Sequence, residues 1–452
     1  MNTNRSTFTG KLGFVLAAAG SAVGLGNIWR FPYLAATYGG GMFLLTYIVL
    51  SVSFGFSLMV AEIAIGRKTG LSAIGAYKAL DHRFAFIGWI SSAVPAIILP
   101  YYSVIGGWVM KYMVSFALGG VSNMANDTYF DSYIAQTWEP LGWFFLFIGL
   151  TAAIVLLGVN SGIEKVSKIM MPILIVLIVF VSVYTVVTMD GAIDGVLYYI
   201  TPDLSKFSVM TVIAAMGQLF YSMSLAMGIM ITFGSYTKKE ISIEKSAKQI
   251  ELFDTGVAFL AGLMIIPAVF AFSGGDESAL DQGAGLMFVT LPKVFNAMPA
   301  GSFVGAAFFV MVFFAALTSS ISLMETIVSI VADKIKADRK ICTLIVLCIS
   351  LLLGIPSSLG YSAWSGVKIL GMSILDFFDF SSNSLIMPIV ALCTCVFVGY
   401  FLKPKALIDE IEISGRFSRK RTFSLMIRYI APICIALILI SSVLNALGII
   451  TI

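Results

Sequence analysis

Long apolar segments recur along the whole chain, and this repetition limits what the chain can fold into. Of the 452 residues, 59% are hydrophobic and 12% are charged, whereas soluble domains carry about 25% charged residues. An α-helix needs roughly 17 to 25 mostly apolar residues to cross a bilayer. We therefore predict an all-α polytopic membrane protein with a single transmembrane domain over residues 1–452.

We predict eleven transmembrane helices, numbered 1 to 11 along the chain. They cover residues 11–36, 42–66, 84–118, 142–157, 166–188, 207–236, 248–273, 302–334, 340–356, 373–402 and 423–449. The loop 276–298 mixes charged, apolar and proline residues, so we expect a re-entrant or short helix there.

Lysine and arginine are concentrated in alternate loops. They cluster after helices 2, 4, 6, 8 and 10, whereas the intervening loops hold only Lys206, Lys293 and Lys368. Loops rich in these residues tend to stay in the cytoplasm. We therefore predict a protein of the cytoplasmic membrane, with a cytoplasmic N-terminus and, after eleven crossings, a C-terminus outside.

Two of the helices contain residues that interrupt an α-helix. Gly24, Gly26 and Pro32 weaken helix 1 or remove a backbone donor. Helix 6 places Ser222 and Gly228 at the same relative depth. Glycines alone are also typical of close helix packing. Two interruptions at matching places favour non-helical backbone, which survives in a bilayer only inside protein or along a cavity.

Several short motifs, in this order and spacing, resemble one known family. They are Ala22-Val23-Gly24-Leu25-Gly26-Asn27, Trp29-Arg30-Phe31-Pro32, Gly39-Gly40-Gly41, Glu62-Ile63-Ala64-Ile65-Gly66-Arg67, Tyr101-Tyr102, Gln218 with Ser222 and Ser224, and Ala315-Ala316-Leu317-Thr318-Ser319-Ser320. With these motifs, nearly the whole chain is similar to the neurotransmitter:sodium symporter family, especially its bacterial amino-acid transporters.

The resemblance implies a specific architecture and activity. Two inverted five-helix repeats are expected at residues 1–190 and 207–402, with helices 1 and 6 unwound at the midplane and an extra helix at 423–449. The implied activity is sodium-coupled symport, not enzyme catalysis. Hydrophobic L-amino acids, aliphatic and aromatic, would be imported by alternating access. The expected partners are the amino acid, sodium and the lipid bilayer, with no nucleic acid; the sequence does not indicate an oligomeric state.

By the same resemblance, the chain binds two sodium ions. The first site takes the Ala22 carbonyl, the side chains of Asn27, Ser222 and Asp254, and the carboxylate of the substrate. The second takes the carbonyls of Gly20, Val23 and Ala315 with the hydroxyls of Thr318 and Ser319. Such hydroxyls also bond to the preceding helical turn. As a set facing the interrupted helix 1, they favour ligation of sodium.

Asp254 departs from the family pattern, because most relatives have asparagine at this position. Chloride-dependent relatives also carry a small polar residue where this chain has Ala258. We expect the Asp254 carboxylate to take the place of chloride. The alternative is that Asp254 is protonated for part of the cycle and links transport to protons. An ionisable group at this depth is costly and usually functional.

The resemblance also implies how the substrate is held. Amides of unwound helix 1 and the Tyr102 hydroxyl suit the substrate carboxylate, and carbonyls near Ala22, Phe220 and Ser224 suit its ammonium group. The predicted substrate-binding residues are Ala22, Gly24, Leu25, Gly26, Ile98, Tyr102, Phe220, Tyr221, Ser222, Ser224, Met227, Ser320 and Leu323. Met227 is flexible, which favours a pocket for several hydrophobic side chains; the alternative is that it only packs.

Gates are implied on both sides of this site. Outside, Arg30 and Asp379 would pair, with Tyr221 as a lid and Asp376 close by. Inside, Arg5 and Asp333 would pair, with Phe8, Ser235 and Tyr236 around them. Gly162 and Pro172 reproduce a spacing that the bacterial branch links to unwinding of the cytoplasmic half of helix 5. Glu62 is expected to accept hydrogen bonds from helix-1 amides, and Glu325 to be a packing residue.

Other classes of function lack their sequence features. A channel should show a continuous polar stripe along several helices, and a sensor needs a signalling domain larger than the loops between these helices. His82 is the single histidine, and neither a nucleophile elbow nor a P-loop is present. Transport therefore remains the favoured function.

Overall fold

The computed structural model describes residues 7–274 and 285–446, and the regular structure within them is helical. Nine helices in these ranges are long and apolar enough to cross a membrane. They are Gly41–Thr69, His82–Ala117, Trp138–Leu156, Val159–Thr188, Ile243–Ser273, Gly301–Ile335, Arg339–Leu359, Ile374–Phe401 and Lys420–Leu444, corresponding to helices 2 to 5 and 7 to 11.

Helices 1 and 6 are each divided into two pieces. Helix 1 consists of Lys11–Ala22 and Gly26–Thr37, which are bent by 55° at the break and count together as a possible tenth span. Helix 6 consists of Val209–Ser222 and Ile229–Ser235. Because neither piece of helix 6 is long enough to cross alone, the total of eleven crossings remains a prediction.

The ends of some helices differ from the predicted bounds. Helix 7 begins at Ile243 instead of residue 248, because the Ser242 hydroxyl caps it by accepting the Lys245 amide. The first turn of helix 7 is polar, so a prediction based on apolar residues does not include it. Helix 5 starts at Val159 as a π-helical segment instead of at residue 166.

Helices 1 and 6 lie at the centre, and small residues let neighbouring helices approach them closely. A Cβ atom on Gly66 of helix 2 would lie 1.9 Å from the Ile231 carbonyl oxygen of helix 6. One on Gly234 would lie 2.4 Å from the Ile63 carbonyl oxygen. Helix 2 and the second half of helix 6 therefore pack backbone against backbone.

The periphery is apolar, as expected of a surface in contact with lipid. Large apolar side chains on several helices are exposed, including Val176, Val187, Leu252 and Leu352. Soluble proteins rarely expose apolar surface this extensively. Helices 1 and 6, by contrast, are mostly enclosed in protein, so their interruptions are kept away from lipid.

The loops predicted to lie outside contain short helices and ion pairs. Within the predicted loop 276–298, the described part forms Leu286–Thr290 and Leu291–Ala297, while residues 275–284 lie outside the described ranges. Lys293 pairs with Asp127. Lys111 of helix 3 lies 2.5 Å from Glu139 at the start of helix 4, an ion pair that accounts for a charge within an apolar helix.

Candidate functional site

The break in helix 1 brings side chains into contact with its backbone. Val23 is extended, with φ −72° and ψ 101°. A Cβ atom on Gly24 would lie 2.9 Å from Ser319 Oγ and 3.1 Å from Tyr102 Oη, and one on Gly26 would lie 2.2 Å from the Tyr221 ring. The two glycines are therefore needed because side chains from helices 3, 6 and 8 occupy the space beside them.

The break in helix 6 has a strained backbone. Ser224 and Ala226 have φ of 52° and 61°, and Gly228 has 73°. Left-handed geometry is unfavourable for residues other than glycine and persists only when the surroundings impose it. Glu62 is part of these surroundings, since its Oε1 accepts the Ala226 amide at 2.7 Å. The expectation that Glu62 accepts helix-1 amides was wrong, because the amide beside this carboxyl belongs to helix 6.

The two breaks border a small cavity. Its walls are Ser21, Ala22, Gly24, Leu25, Gly26, Asn27, Ile98, Tyr102, Tyr221, Ser224, Met227, Ile229, Ser319 and Leu323. Polar groups lie along the helix-1 break and apolar side chains lie opposite, an arrangement suited to a small amphipathic molecule.

Three of the predicted substrate-binding residues do not line this cavity. The Ser320 hydroxyl lies 3.1 Å from Thr151 Oγ1, towards helix 4. The Phe220 ring packs against Phe54. The Ser222 hydroxyl donates to Asp254 Oδ1 at 2.6 Å. The cavity instead gains Ser21, Ile229 and two of the predicted sodium ligands.

Polar groups of the cavity lie at the break in helix 1. The Leu25 amide donates to Tyr102 Oη at 3.3 Å, so the two groups predicted to hold a carboxylate lie side by side. The Ser224 hydroxyl donates to the Ser21 carbonyl at 2.9 Å and bridges the two breaks. The polar groups of the cavity are thus gathered where the two breaks meet.

Asn27, Ser222 and Asp254 form one buried polar cluster. Asn27 Nδ2 donates to Asp254 Oδ1 at 2.8 Å and to Ser222 Oγ at 3.0 Å. Tyr47 of helix 2 donates to Asp254 Oδ2 at 3.1 Å. All these side chains are essentially inaccessible to solvent. A charged carboxylate in such a position needs donors or a cation around it.

The predicted second sodium ligands also lie together. Ser319 Oγ lies 3.3 Å from the Gly20 carbonyl oxygen and 3.2 Å from that of Val23. The Thr318 hydroxyl is 3.2 Å from the Ala315 carbonyl oxygen, although it also bonds to Phe314 one turn earlier. These are hard oxygen groups at the end of an interrupted helix, the chemistry that an alkali cation requires.

A second, wider cavity adjoins the first, and Tyr221 lines both. Arg30, Tyr221, Asp376 and Asp379 all line it. Within the described ranges no ion pair joins Arg30 to Asp379. Arg30 instead lies over the Tyr221 ring, 5.6 Å from its centre. Asp379 accepts the Tyr101 hydroxyl at 3.0 Å. The predicted outer gate residues therefore surround an open vestibule.

The opposite side of the site is closed by packed aromatic rings. Phe8 is fully buried against Phe14, Phe233 and Tyr236. Asp333 accepts the Ser72 amide at 2.9 Å. Its predicted partner Arg5 lies outside the described residues.

A buried ion pair continues this inner layer. Glu325, which is fully buried, accepts the Tyr236 hydroxyl at 2.8 Å and pairs with Arg339 of helix 9. Arg339 also donates to the Val155 carbonyl of helix 4 at 2.9 Å. Glu325 and Arg339 thus connect helices 4, 6, 8 and 9. The sequence predicted only a packing role for Glu325.

Helix 5 is helical at Gly162 and Pro172, where unwinding is predicted. Residues Val159–Glu164 are π-helical and Pro172 lies within the α-helix that follows. A Cβ atom on Gly162 would lie 2.2 Å from the Ile154 carbonyl oxygen. Unwinding of this segment stays a prediction.

Sequence reasoning missed several members of these clusters. Tyr47 contacts both Asp254 and Ser222. The sequence feature that could have indicated this role is that Tyr47 is a single tyrosine within an apolar helix. Glu164 accepts the Thr9 amide at 2.9 Å and so fixes the start of helix 1. The i, i+4 spacing of Glu164 and Lys168, which pair at 2.6 Å, could have indicated that this acid was not free.

Known proteins share both the sequence and the arrangement. The model of the sodium:neurotransmitter symporter family matches residues 5–129 and 134–449. An uncharacterized sodium-dependent transporter, YhdH, of Bacillus subtilis is 36% identical over 98% of this chain and 97% of its own. The sodium- and chloride-dependent glycine transporter 1 of Xenopus laevis is 26% identical over 98% of this chain and 79% of its own.

A solved structure has the same fold. The crystal structure of MhsT in complex with L-phenylalanine superimposes with a TM-score of 0.88 at 36% identity, over 97% of this chain and 100% of that one. The predicted all-helical membrane fold is confirmed. The chain belongs to the sodium:neurotransmitter symporter family and is a multi-pass, sodium-dependent membrane transporter.

Proposed function

We propose that this transporter is a sodium-coupled symporter that imports hydrophobic L-amino acids, aliphatic and aromatic, independently of chloride. The cavity between the two broken helices is the observation that carries this proposal. It offers the Leu25 amide and Tyr102 hydroxyl to a carboxylate, and carbonyls of the breaks to an ammonium group. The bound L-phenylalanine of the MhsT structure supports the same substrate class.

The lining of the cavity supports a hydrophobic substrate. Ile98, Met227, Ile229 and Leu323 form an apolar wall with the Tyr221 ring above it. None of these side chains carries a charge, so a charged substrate side chain would lose its hydration without compensation. Methionine can adapt to aliphatic and aromatic groups.

Two sodium ions would bind beside the substrate. The first would take the Ala22 carbonyl, Asn27, Ser222 and Asp254, with the substrate carboxylate as a shared ligand. The second would take the Gly20, Val23 and Ala315 carbonyls with Thr318 and Ser319. Direct ligation of sodium by the substrate would make each bind more tightly in the presence of the other, which is the thermodynamic basis of coupling.

Asp254 would supply the negative charge that chloride supplies in some relatives. Its carboxylate is buried and is held by Asn27, Ser222 and Tyr47, with no cationic side chain paired to it in the described part of the chain. A sodium ion at this position would compensate the charge. A permanent carboxylate beside the ion makes a separate anion unnecessary.

Alternating access would use the two layers around the site. Closure of the vestibule would bring Arg30 towards Asp379, with Tyr221 as the lid. Opening inward would separate the Phe8 cluster and the Tyr236–Glu325–Arg339 network. The distribution of basic loops supports a cytoplasmic N-terminus and an external C-terminus, and unwinding at Gly162 and Pro172 would admit water to the second sodium site.

Uptake by proteoliposomes tests this proposal. Labelled leucine and tryptophan should accumulate when sodium is higher outside, with chloride replaced by gluconate, and should not accumulate in a potassium gradient. Unlabelled hydrophobic amino acids should compete and charged ones should not. Sodium-driven uptake of charged amino acids alone would contradict the substrate class, and a chloride requirement would contradict the role of Asp254.

A further inference from the structure

The linker between helices 10 and 11, residues 402–421, has two different faces. Its helix Pro404–Glu412 buries Leu407 and Ile411 against helix 2, and Phe417 is buried further along. Its exposed residues include five cations, Lys403, Lys405, Arg416, Lys420 and Arg421, which together are called its basic face below. The two faces therefore serve different contacts.

The exposed cations are largely unpaired within the described ranges. Lys420 has Glu412 at 3.4 Å, whereas no acidic group in those ranges lies within 4 Å of Lys403, Lys405, Arg416 or Arg421. Asp409 is the one exposed acid of this linker. A solvated loop would gain little from gathering so many like charges, because they repel each other.

The position of the linker is that of a lipid headgroup layer. It joins the ends of two helices, Ile374–Phe401 and Lys420–Leu444, that are apolar enough to cross the bilayer. Tyr400, Phe401 and Tyr429, each more than half exposed, lie on those helices just inside the cations. Exposed tyrosines mark the boundary of the hydrocarbon, and basic clusters next to a helix end attract anionic lipids.

The buried face ties the linker to helices 2 and 7 and to the loop between helices 6 and 7. Glu410 pairs with Arg67 of helix 2 at 2.9 Å and with Lys239 of the helix 6–7 loop at 2.6 Å. The Ser418 amide donates to Glu244 of helix 7 at 3.0 Å. Both Arg67 and Glu410 are almost fully buried, where removal of one partner is costly.

A pair of carbonyl contacts fixes the base of the linker. Arg428 Nε donates to the Gly399 carbonyl at 3.0 Å, and Tyr400 Oη donates to the Arg428 carbonyl at 2.7 Å. Both carbonyls lie in π-helical segments, Phe397–Phe401 and Met426–Ile430, where the helical hydrogen-bond pattern is interrupted. The linker is therefore held at its base and along its buried face, leaving the basic face free.

We propose that the basic face of this linker binds the headgroups of anionic phospholipids, and that the Arg67–Glu410 contact transmits the effect of the bound lipid to helix 2. Lipid binding would hold the linker, and with it the inner end of this helix. This surface lies apart from the substrate cavity, and the proposal stands independently of the identity of the transported amino acid.

The lipid contact is tested on the purified full-length chain in phosphatidylcholine vesicles with and without phosphatidylglycerol. Native mass spectrometry counts the phosphatidylglycerol retained by the wild type and by a fourfold variant, Lys403→Gln, Lys405→Gln, Arg416→Gln and Arg421→Gln. Since each cation near an anionic surface changes affinity by about fivefold, the variant should lose retention by about a hundredfold or more, and salt should weaken the wild-type contact.

The matched control removes the same number of exposed cations from other helix ends and loops on the same predicted side: Lys165→Gln, Lys245→Gln, Lys336→Gln and Lys340→Gln. Control and wild type should retain phosphatidylglycerol equally. Equal retention by the linker variant would overturn the proposal. Displacement of the lipid by inorganic phosphate at matched ionic strength would also overturn it, because the surface would then be a phosphate site.

The connection to helix 2 has its own test. Glu410→Gln should retain phosphatidylglycerol normally, yet its transport rate should no longer respond to that lipid. Glu412→Gln, on the same short helix but paired with Lys420, should respond like the wild type. An unchanged response in Glu410→Gln would exclude the Arg67–Glu410 contact as the connection.

Discussion

Asn27 Nδ2 lies 2.8 Å from Asp254 Oδ1, although 227 residues separate the two in the chain. This contact joins the break in helix 1 to the middle of helix 7. It places a carboxylate within reach of the substrate cavity, which Asn27 itself lines.

Replacement of Asp254 by asparagine should change the anion requirement. The carboxylate charge is lost while the size of the side chain is kept, so transport should become dependent on chloride or should stop. Sodium-driven uptake in chloride and in gluconate measures the difference. Glu251→Gln removes another largely buried acid of helix 7 and should leave the ratio near that of the wild type. An unchanged ratio in Asp254→Asn would remove this carboxylate from the mechanism.

Met227→Phe should narrow substrate specificity. Met227 lines the cavity and is 4% exposed, so a rigid ring there would take space from an aromatic substrate. Overpacking typically costs about 1 to 3 kcal/mol, which corresponds to roughly a 5- to 150-fold weaker inhibition by tryptophan relative to leucine. Competition of both amino acids against labelled leucine measures this ratio. Met264→Phe, at another buried methionine outside the cavity, separates the effect from general repacking.

Glu325→Gln should favour opening towards the inner side. The substitution leaves Arg339 without its carboxylate in a buried network, and loss of one partner of a buried pair costs about 3 to 5 kcal/mol. A cysteine introduced at the half-buried Ser235 should react faster with a hydrophilic maleimide in the variant. Lys334 lies on the same helix as Glu325, with its ammonium over the Trp89 ring of helix 3. Lys334→Gln should not change that rate. Equal labelling in the wild type and Glu325→Gln would contradict a gating role.

Gly162→Ala and Pro172→Ala separate folding from motion in helix 5. The added methyl group at Gly162 would meet the Ile154 carbonyl oxygen at 2.2 Å, so this variant should melt at a lower temperature. Pro172→Ala restores a backbone donor and should slow transport while leaving substrate binding and the melting temperature close to wild type. Gly149→Ala in helix 4, where no described atom of a neighbouring element lies within 4 Å, is the control for a neutral exchange. Normal turnover of Pro172→Ala would exclude unwinding at this position.

The sequence predicted the helices well because apolar length is a local property. It also located both broken helices, since glycine, proline and polar residues are uncommon at midplane depth in a continuous helix that faces lipid. The start of helix 7 was missed because capping by Ser242 and the charged first turn have no apolar signal. Boundaries set by single hydrogen bonds are hard to predict from composition.

The residues of the candidate site were predictable mainly where they belong to a motif of the family. Ten of the cavity-lining residues were predicted as substrate-binding from the family resemblance, but Ile229 and Ser21 were not. The exposure of Ile229 to the cavity depends on how the helix-6 chain turns at Ala226 and Gly228, and that of Ser21 on where the first piece of helix 1 ends. No pattern of residue types specifies either. Glu62 was expected to accept hydrogen bonds, but its donor is an amide of helix 6 and not of helix 1. The sequence does not specify this donor either.

The central claim is that the substrate carboxylate is itself a ligand of sodium at the broken helices. Binding of labelled tryptophan to the purified protein across a sodium titration tests this claim most directly. We predict that tryptophan affinity rises with sodium and that Asn27→Ala removes most of this dependence. Tryptophan binding of equal affinity in sodium and potassium, or an unaltered sodium dependence in Asn27→Ala, would contradict it.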